Sequence, residues 1–225
     1  VFEVFEYKYD VVEIVAQQNY SQENFFAETH EVITDFTKSD RVLKKLEENL
    51  GKQGISQLMM VYFSERKDLE RLILSAVWHS IKHPKKNILQ DFGNDDILEI
   101  SKICRSVSRE RHRMLAFVRF ELLQDEVYFA KIEPDFNVLP LIRKHFKERY
   151  ADQKWMIFDL KRHYGIFYDL KEVQFFTPDS SQLQNFRNSE QFHHEEEKKY
   201  QKLWQRYFVK TGIPERKNMK LHIQW

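Results

Sequence analysis

The sequence predicts an α+β fold: a helical N-terminal half packed on a mostly antiparallel sheet, with a closing C-terminal helix. Three observations lead there. Apolar residues recur at helical spacing through the first half, up to about Val107. The texture then changes to short runs rich in β-branched and aromatic residues, bounded by turn formers. Hydrophobic residues make up 42% and aromatics 15% of the 225 residues, enough to fill a core.

The elements follow in order. Val1 to Tyr9 has helical character, and residues 10 to 29 read as a polar connection. His30 to Thr34 reads as a short strand. Thr37, Ser39 or Asp40 can cap a helix carrying Val42, Leu43, Leu46 and Leu50. Gly51 and Gly54 punctuate it, and a second helix carries Ile55, Leu58, Met59 and Tyr62. A third runs from about Asp68 to Lys82 and stops at His83-Pro84. After a polar loop at 84–95, Asn94 or Asp95 caps a fourth helix with Ile97, Ile100, Ile103, Cys104 and Val107.

Met114 to Leu122 and Glu126 to Glu133 then read as an antiparallel hairpin, apolar at nearly every position and so covered on both faces. Val138 to Tyr150 is a helix with Pro140 in its first turn, where proline is tolerated. Three strands follow, at Trp155–Phe158, Tyr164–Tyr168 and Val173–Phe176. A last helix, from about Ser189 to Val209, ends at Gly212 and Pro214. The reading is one domain over residues 1–225, with 84–95 as the candidate sub-boundary.

Composition excludes several classes. No apolar run approaches the roughly 20 residues of a membrane helix, and no secretory leader is read, so a soluble cytoplasmic protein is expected. Cys104 is the single cysteine, which excludes an internal disulfide and a cysteine-built zinc or iron–sulfur site within this sequence. The five glycines show neither the phosphate-loop nor the dinucleotide spacing, so no nucleotide cofactor is expected.

Charge is the most informative feature. The whole chain carries +1, yet Lys102, Arg105, Arg109, Arg111, Arg113 and Arg119 stand against the one acid Glu110. That is a local surplus of five, with His112 beside it. On a helix, Lys102, Arg105, Arg109 and Arg113 fall on roughly one stripe, and Arg111 and Arg113 would sit at a helix–strand corner. A polyanion is the partner such a stripe suits. The competing reading is a solvated helix end, where cations suit the dipole, or an arginine network within the chain.

Other groupings are weaker. Lys82, His83, Lys85 and Lys86 form a second basic patch, and His79 and His83 have metal-ligand spacing without an evident third ligand. His193-His194-Glu195-Glu196-Glu197 reads as an exposed helix face rather than a metal site. Glu133, Asp135, Asp159 and Asp169 lie at strand ends, where acids commonly form turns but paired carboxylates can do acid–base work. Tyr164, Phe167, Tyr168, Phe175 and Phe176 crowd the later strands, where core packing is the default and base stacking the alternative.

The string Arg109-Glu110-Arg111-His112-Arg113-Met114, followed by Phe117-Val118-Arg119-Phe120, resembles a bacterial family of uncharacterised domains assigned to DNA metabolism. Ile132-Glu133-Pro134, Val138-Leu139-Pro140-Leu141, His145-Phe146-Lys147-Glu148-Arg149, Leu203-Trp204-Gln205-Arg206-Tyr207-Phe208 and Ile213-Pro214-Glu215-Arg216-Lys217-Asn218 extend the resemblance over essentially the whole chain. Members of that family accompany a radical-SAM DNA repair protein or are fused to a uracil-DNA-glycosylase-like domain. The family usually opens with a short strand and glycine turn and ends in Met-Pro-x-x-Tyr-Trp, whereas here Gln224 is followed at once by Trp225. A further N-terminal strand and C-terminal tail are therefore expected beyond this sequence.

The resemblance implies an accessory nucleic-acid-binding or partner-docking role in DNA metabolism and repair, and brings no catalytic, cofactor or metal residue with it. The expected DNA contacts are Lys102, Arg105, Arg109, Arg111, His112, Arg113 and Arg119. The alternatives are a nucleic-acid-processing enzyme using groups such as Glu133 and His112, and a purely protein-docking module.

Overall fold

The computed structural model describes residues 1–9, 14, 29–84, 87–123 and 126–178. The expected last helix, the His193–Glu197 cluster and the family strings after Leu203 lie outside these residues. The chain divides into two compact units after Ser108. The described part is α+β, with five α-helices and a five-stranded sheet.

The first unit is helical. Helix α1 spans Phe2–Glu6, and α2 spans Phe36–Phe63. Asp35, rather than Thr37, Ser39 or Asp40, caps α2, its carboxylate accepting from the Lys38 amide at 3.1 Å. The two helices expected on either side of Gly51 are both present within α2, separated by a kink where the Gly51 backbone leaves the helical region at φ 68, ψ 176. Helix α3, Leu69–Lys82, packs on α2, and a short 3₁₀ turn at Ile88–Gln90 closes against both. Leu58, Val61, Leu72, Ala76, Val77 and Ile88 are buried together in this unit. Fully burying one such aliphatic side chain is worth about 1.5–3 kcal/mol.

The expected strand His30–Thr34 does not form. Residues 29–35 are irregular, and Val32 and Ile33 are 60% and 82% exposed. β-branched residues alone do not make a strand without a pairing partner.

Helix α4, Asp95–Phe117, starts in the first unit and ends in the second. Asn94 caps it, its side-chain oxygen accepting from the Asp96 and Ile97 amides at 3.0 and 3.2 Å. The strand expected from Met114 is thus corrected: Met114–Phe117 continues the helix, and only Glu121–Leu122 is extended, as β1. Ile97, Ile100, Cys104, Val107, Glu110 and Met114 are all buried at spacings of three and four, so the inward stripe runs on unbroken past Val107.

The second unit is built on the sheet. The strands are β1, β2 (Tyr128–Ile132), β3 (Trp155–Asp159), β4 (Tyr164–Tyr168) and β5 (Val173–Phe176), adjacent in that order. All neighbours are antiparallel except β2 and β3. Parallel strands need a crossover, which helix α5, Leu139–Arg149, supplies. Register places Ala130, Ile157, Ile166 and Phe175 on one face, with Trp155 and Tyr168. Phe146 of α5 lies 6.0 Å from the Trp155 ring on that face. Trp155, Ile157, Ile166, Phe146 and Ile142 are at most 2% exposed and form its core.

Candidate nucleic-acid interface

The predicted contacts divide sharply by environment. Along α4, Lys102, Arg105, Arg109 and His112 are exposed, at i, i+3, i+7 and i+10, opposite the buried stripe. In the first unit, Lys102 lies 3.3 Å from the Glu99 carboxylate, a screened surface pair. Because the helix continues to Phe117, Arg111 and Arg113 do not stand at a helix–strand corner; they lie on its flanks, partly buried. Arg119 follows the helix end, half-buried, just before β1.

Arg113 is committed to structure. Its guanidinium donates to the Glu110 carboxylate and lies 3.8 Å from Asp135. The other Glu110 oxygen accepts from the Asp135 amide at 3.1 Å, with Glu110 only 1% exposed. The one acid of the basic run is therefore buried, fully engaged and holding the loop after β2.

A second buried carboxylate grips the same loop. Asp159, at the end of β3 and 0% exposed, accepts from the Lys161 and Arg162 amides at 2.9 and 3.2 Å. Its other oxygen meets the Arg162 guanidinium at 2.9 Å. That guanidinium reaches on to the carbonyls of Pro134 and Asp135, each at 3.1 Å, and Lys161 Nζ also donates to Asp135 at 3.1 Å. Tyr164 hydroxyl bonds the Asn137 side chain. Buried charges persist only when paired and hydrogen-bonded in this way. Nothing in the sequence singles out Arg162; its role emerges only when β3 and β2 lie side by side.

The network settles the strand-end acids individually. Asp159 is an ion-pair and turn former. Asp169 accepts from the Lys171 and Glu172 amides at 2.8 and 2.9 Å, and bonds from Glu172 and then Lys171 hold its carboxyl below the ordinary value. Glu133 and Asp135 remain exposed on the clamped loop.

His79 lies beside His83 but bonds Asp91 at 3.1 Å. Among the described residues no three His, Cys, Asp or Glu gather to hold a metal. Cys104 is buried, its thiol donating to the Gln57 carbonyl at 3.4 Å. Burial pushes that thiol up to about 11, away from nucleophilic use. No described helix is long and apolar enough to cross a membrane.

The chain is thus an α+β protein with a basic helix and a sheet whose β2 loop is clamped by buried carboxylates. The chain belongs to the family described as Domain of unknown function DUF4130, whose model matches residues 67–225. No curated protein and no solved structure matches the chain.

Proposed function

We propose that this protein is an accessory nucleic-acid-binding module of DNA metabolism that holds DNA phosphates without catalysing a reaction of its own. The observation that carries this reading is the exposed row Lys102, Arg105, Arg109 and His112 on one helix, in a chain of net charge +1. Cations on an exposed helix face can meet phosphates, and each contact releases counterions. The resemblance of the Arg-Glu-Arg-His-Arg-Met string supports DNA as the polyanion. It also supports a radical-SAM DNA repair protein or a uracil-DNA-glycosylase-like domain as the partner that acts on it.

Electrostatics also divides the labour among the arginines. Arg105 and Arg109 are exposed, while Arg113 holds Glu110 and the loop at Asp135. Substituting Arg113 would test folding as much as binding. The informative variant is Arg105→Gln with Arg109→Gln, titrated with labelled DNA by fluorescence anisotropy across salt. If each arginine neutralises one phosphate, the slope of log affinity against log salt flattens by about 1.8. A folded double variant with unchanged affinity and slope would remove the assignment.

A further inference from the structure

We infer that the outer edge of the sheet carries a stacking site for an unpaired base of single-stranded DNA, centred on Phe175 and flanked by Arg143 and Lys147. The inference rests on the nucleic-acid reading above and specifies the form of DNA recognised.

The site is built from two elements of the second unit. Phe175 lies on β5, the last strand of the sheet among the described residues, and is 47% exposed. Its row mates Ala130, Ile157 and Ile166 are buried, so Phe175 is where that apolar row runs out into solvent. The Tyr164 ring lies nearly parallel to it, at 6.2 Å and 28°. The Tyr164 hydroxyl is tied to Asn137 on the clamped loop, which fixes that ring.

Cations border the aromatic edge from α5. The Arg143 guanidinium sits 5.7 Å from the Phe175 ring centre, and Lys147 Nζ sits 5.9 Å from the Tyr168 ring centre. These two are one helical turn apart, about 6 Å along the axis. Lys144, on the exposed side of the helix, pairs with Glu148 at 3.7 Å and so takes that acid's charge. Tyr168 itself is spoken for: it is 3% exposed and its hydroxyl donates to the Ala151 and Leu170 carbonyls at 3.2 and 2.9 Å.

The chemistry selects the occupant. A half-exposed phenyl ring offers a π-face, and every base has one to match. A guanidinium beside the ring can stack on the same base or reach its phosphate. Inside a duplex the base faces are already stacked on one another, so the ring has nothing to gain there. Single strands offer the base face and the phosphates together. The site thus adds preference for single strands, whereas the α4 arginines act on phosphates of either form.

The test uses the whole chain with a labelled oligonucleotide, single-stranded and as its duplex, in anisotropy titrations. A 2-aminopurine in the single strand reports stacking by its fluorescence. Phe175→Leu keeps apolar bulk and removes the π-face; Phe175→Trp restores it. We expect Phe175→Leu to weaken single-strand binding at least about fivefold, leave duplex binding and the salt slope unchanged, and abolish the 2-aminopurine quenching. Phe175→Trp should retain both affinity and quenching, and Arg143→Gln should weaken single-strand binding in the same direction. If the unmodified protein binds neither form of DNA at low salt, the nucleic-acid reading itself fails. If it binds DNA but Phe175→Leu changes both forms equally or neither, the stacking site is overturned while phosphate binding by α4 stands.

Discussion

Glu110 shows how much a single side chain can be misjudged by its neighbours in sequence. Among Arg109, Arg111 and Arg113 it counts only as the one acid set against a basic run. In the fold it takes an inward position on α4 between Val107 and Met114 and is 1% exposed. Removing it leaves the Arg113 guanidinium and the Asp135 amide without their acceptor. Losing one partner of a buried charged bond costs more than the bond's net worth. Glu110→Ala is expected to destabilise the protein by about 2–4 kcal/mol. Arg105→Gln, on the exposed side of the same helix, should stay within about 0.5 kcal/mol. Urea melts of the two variants decide the point: equal midpoints would mean the buried carboxylate holds nothing. Residue scale is also where the site was least legible. The exposure of Lys102, Arg105 and Arg109 is legible from charge and spacing, but the same spacing puts Arg113, not His112, on the stripe, and Arg113 is partly buried. The pairs Glu110–Arg113 and Asp159–Arg162 are local, but the bonds that tie Glu110 to the Asp135 amide and Arg162 to the Pro134 and Asp135 carbonyls span 25 to 28 residues, which local pattern does not encode.

At the scale of elements, legibility followed how much of the stabilising information was local. Helix α5 and strands β3, β4 and β5 match the expected spans to within about a residue, because turns bound the strands and Pro140 marks the first turn of the helix. The end of α4 was hidden because Met114, Leu115, Ala116 and Phe117 suit either a strand or a helix, and no glycine or proline intervenes. A continuing buried stripe decides for helix, and that stripe is completed by the charged Glu110, which a hydrophobic count skips. His30–Thr34 failed for the opposite reason: its propensity is local but a strand is not.

Glycine makes a sharper test at this scale, because two glycines are needed for different reasons. At Gly165 an added Cβ would come within 2.6 Å of the Phe176 ring and 2.8 Å of the Ile157 carbonyl. At Gly51 it would meet nothing within 4 Å, but φ 68 with ψ 176 belongs to a region only glycine occupies readily. Gly51→Ala is therefore expected to destabilise by about 1–3 kcal/mol without any clash. Thermal melting checks it. A neutral or stabilising result would show that α2 straightens into a regular helix at no cost.

For the whole molecule, a net charge of +1 conceals acids and bases that are used in pairs, and the pairs set a stability window. In the first unit, bonds from Arg66 hold the Asp68 carboxyl below its ordinary value, and bonds from Arg66 and then Lys102 do the same for Glu99. Asp96 is raised by burial, but bonds from Ser75 and Arg71 outweigh this and leave it low. A carboxylate depressed in the fold stabilises it above the unfolded value, about 4, and that contribution is lost as pH falls through the folded value. These groups are partly exposed and their partners Arg66, Arg71 and Lys102 are exposed, so each pair is worth little and salt should blunt the effect. On the alkaline side the sign reverses. The Cys104 thiol, raised by burial to about 11, stays neutral in the fold while an unfolded thiol ionises near 8.5. Stability from that group is complete below the unfolded value and drains away as pH rises toward 11. The expected profile is a plateau from about pH 5 to 8, a salt-sensitive fall below about 4, and a salt-insensitive fall above about 9. Cys104→Ala separates the two limbs. It should flatten the alkaline fall in chemical denaturation and leave the acid limb in place. In the unmodified protein, the thiol should react with a disulfide reagent at pH 8 only on unfolding. Rapid labelling of the folded protein, or an alkaline limb identical in Cys104→Ala, would place the thiol at the surface and assign the alkaline loss to other groups.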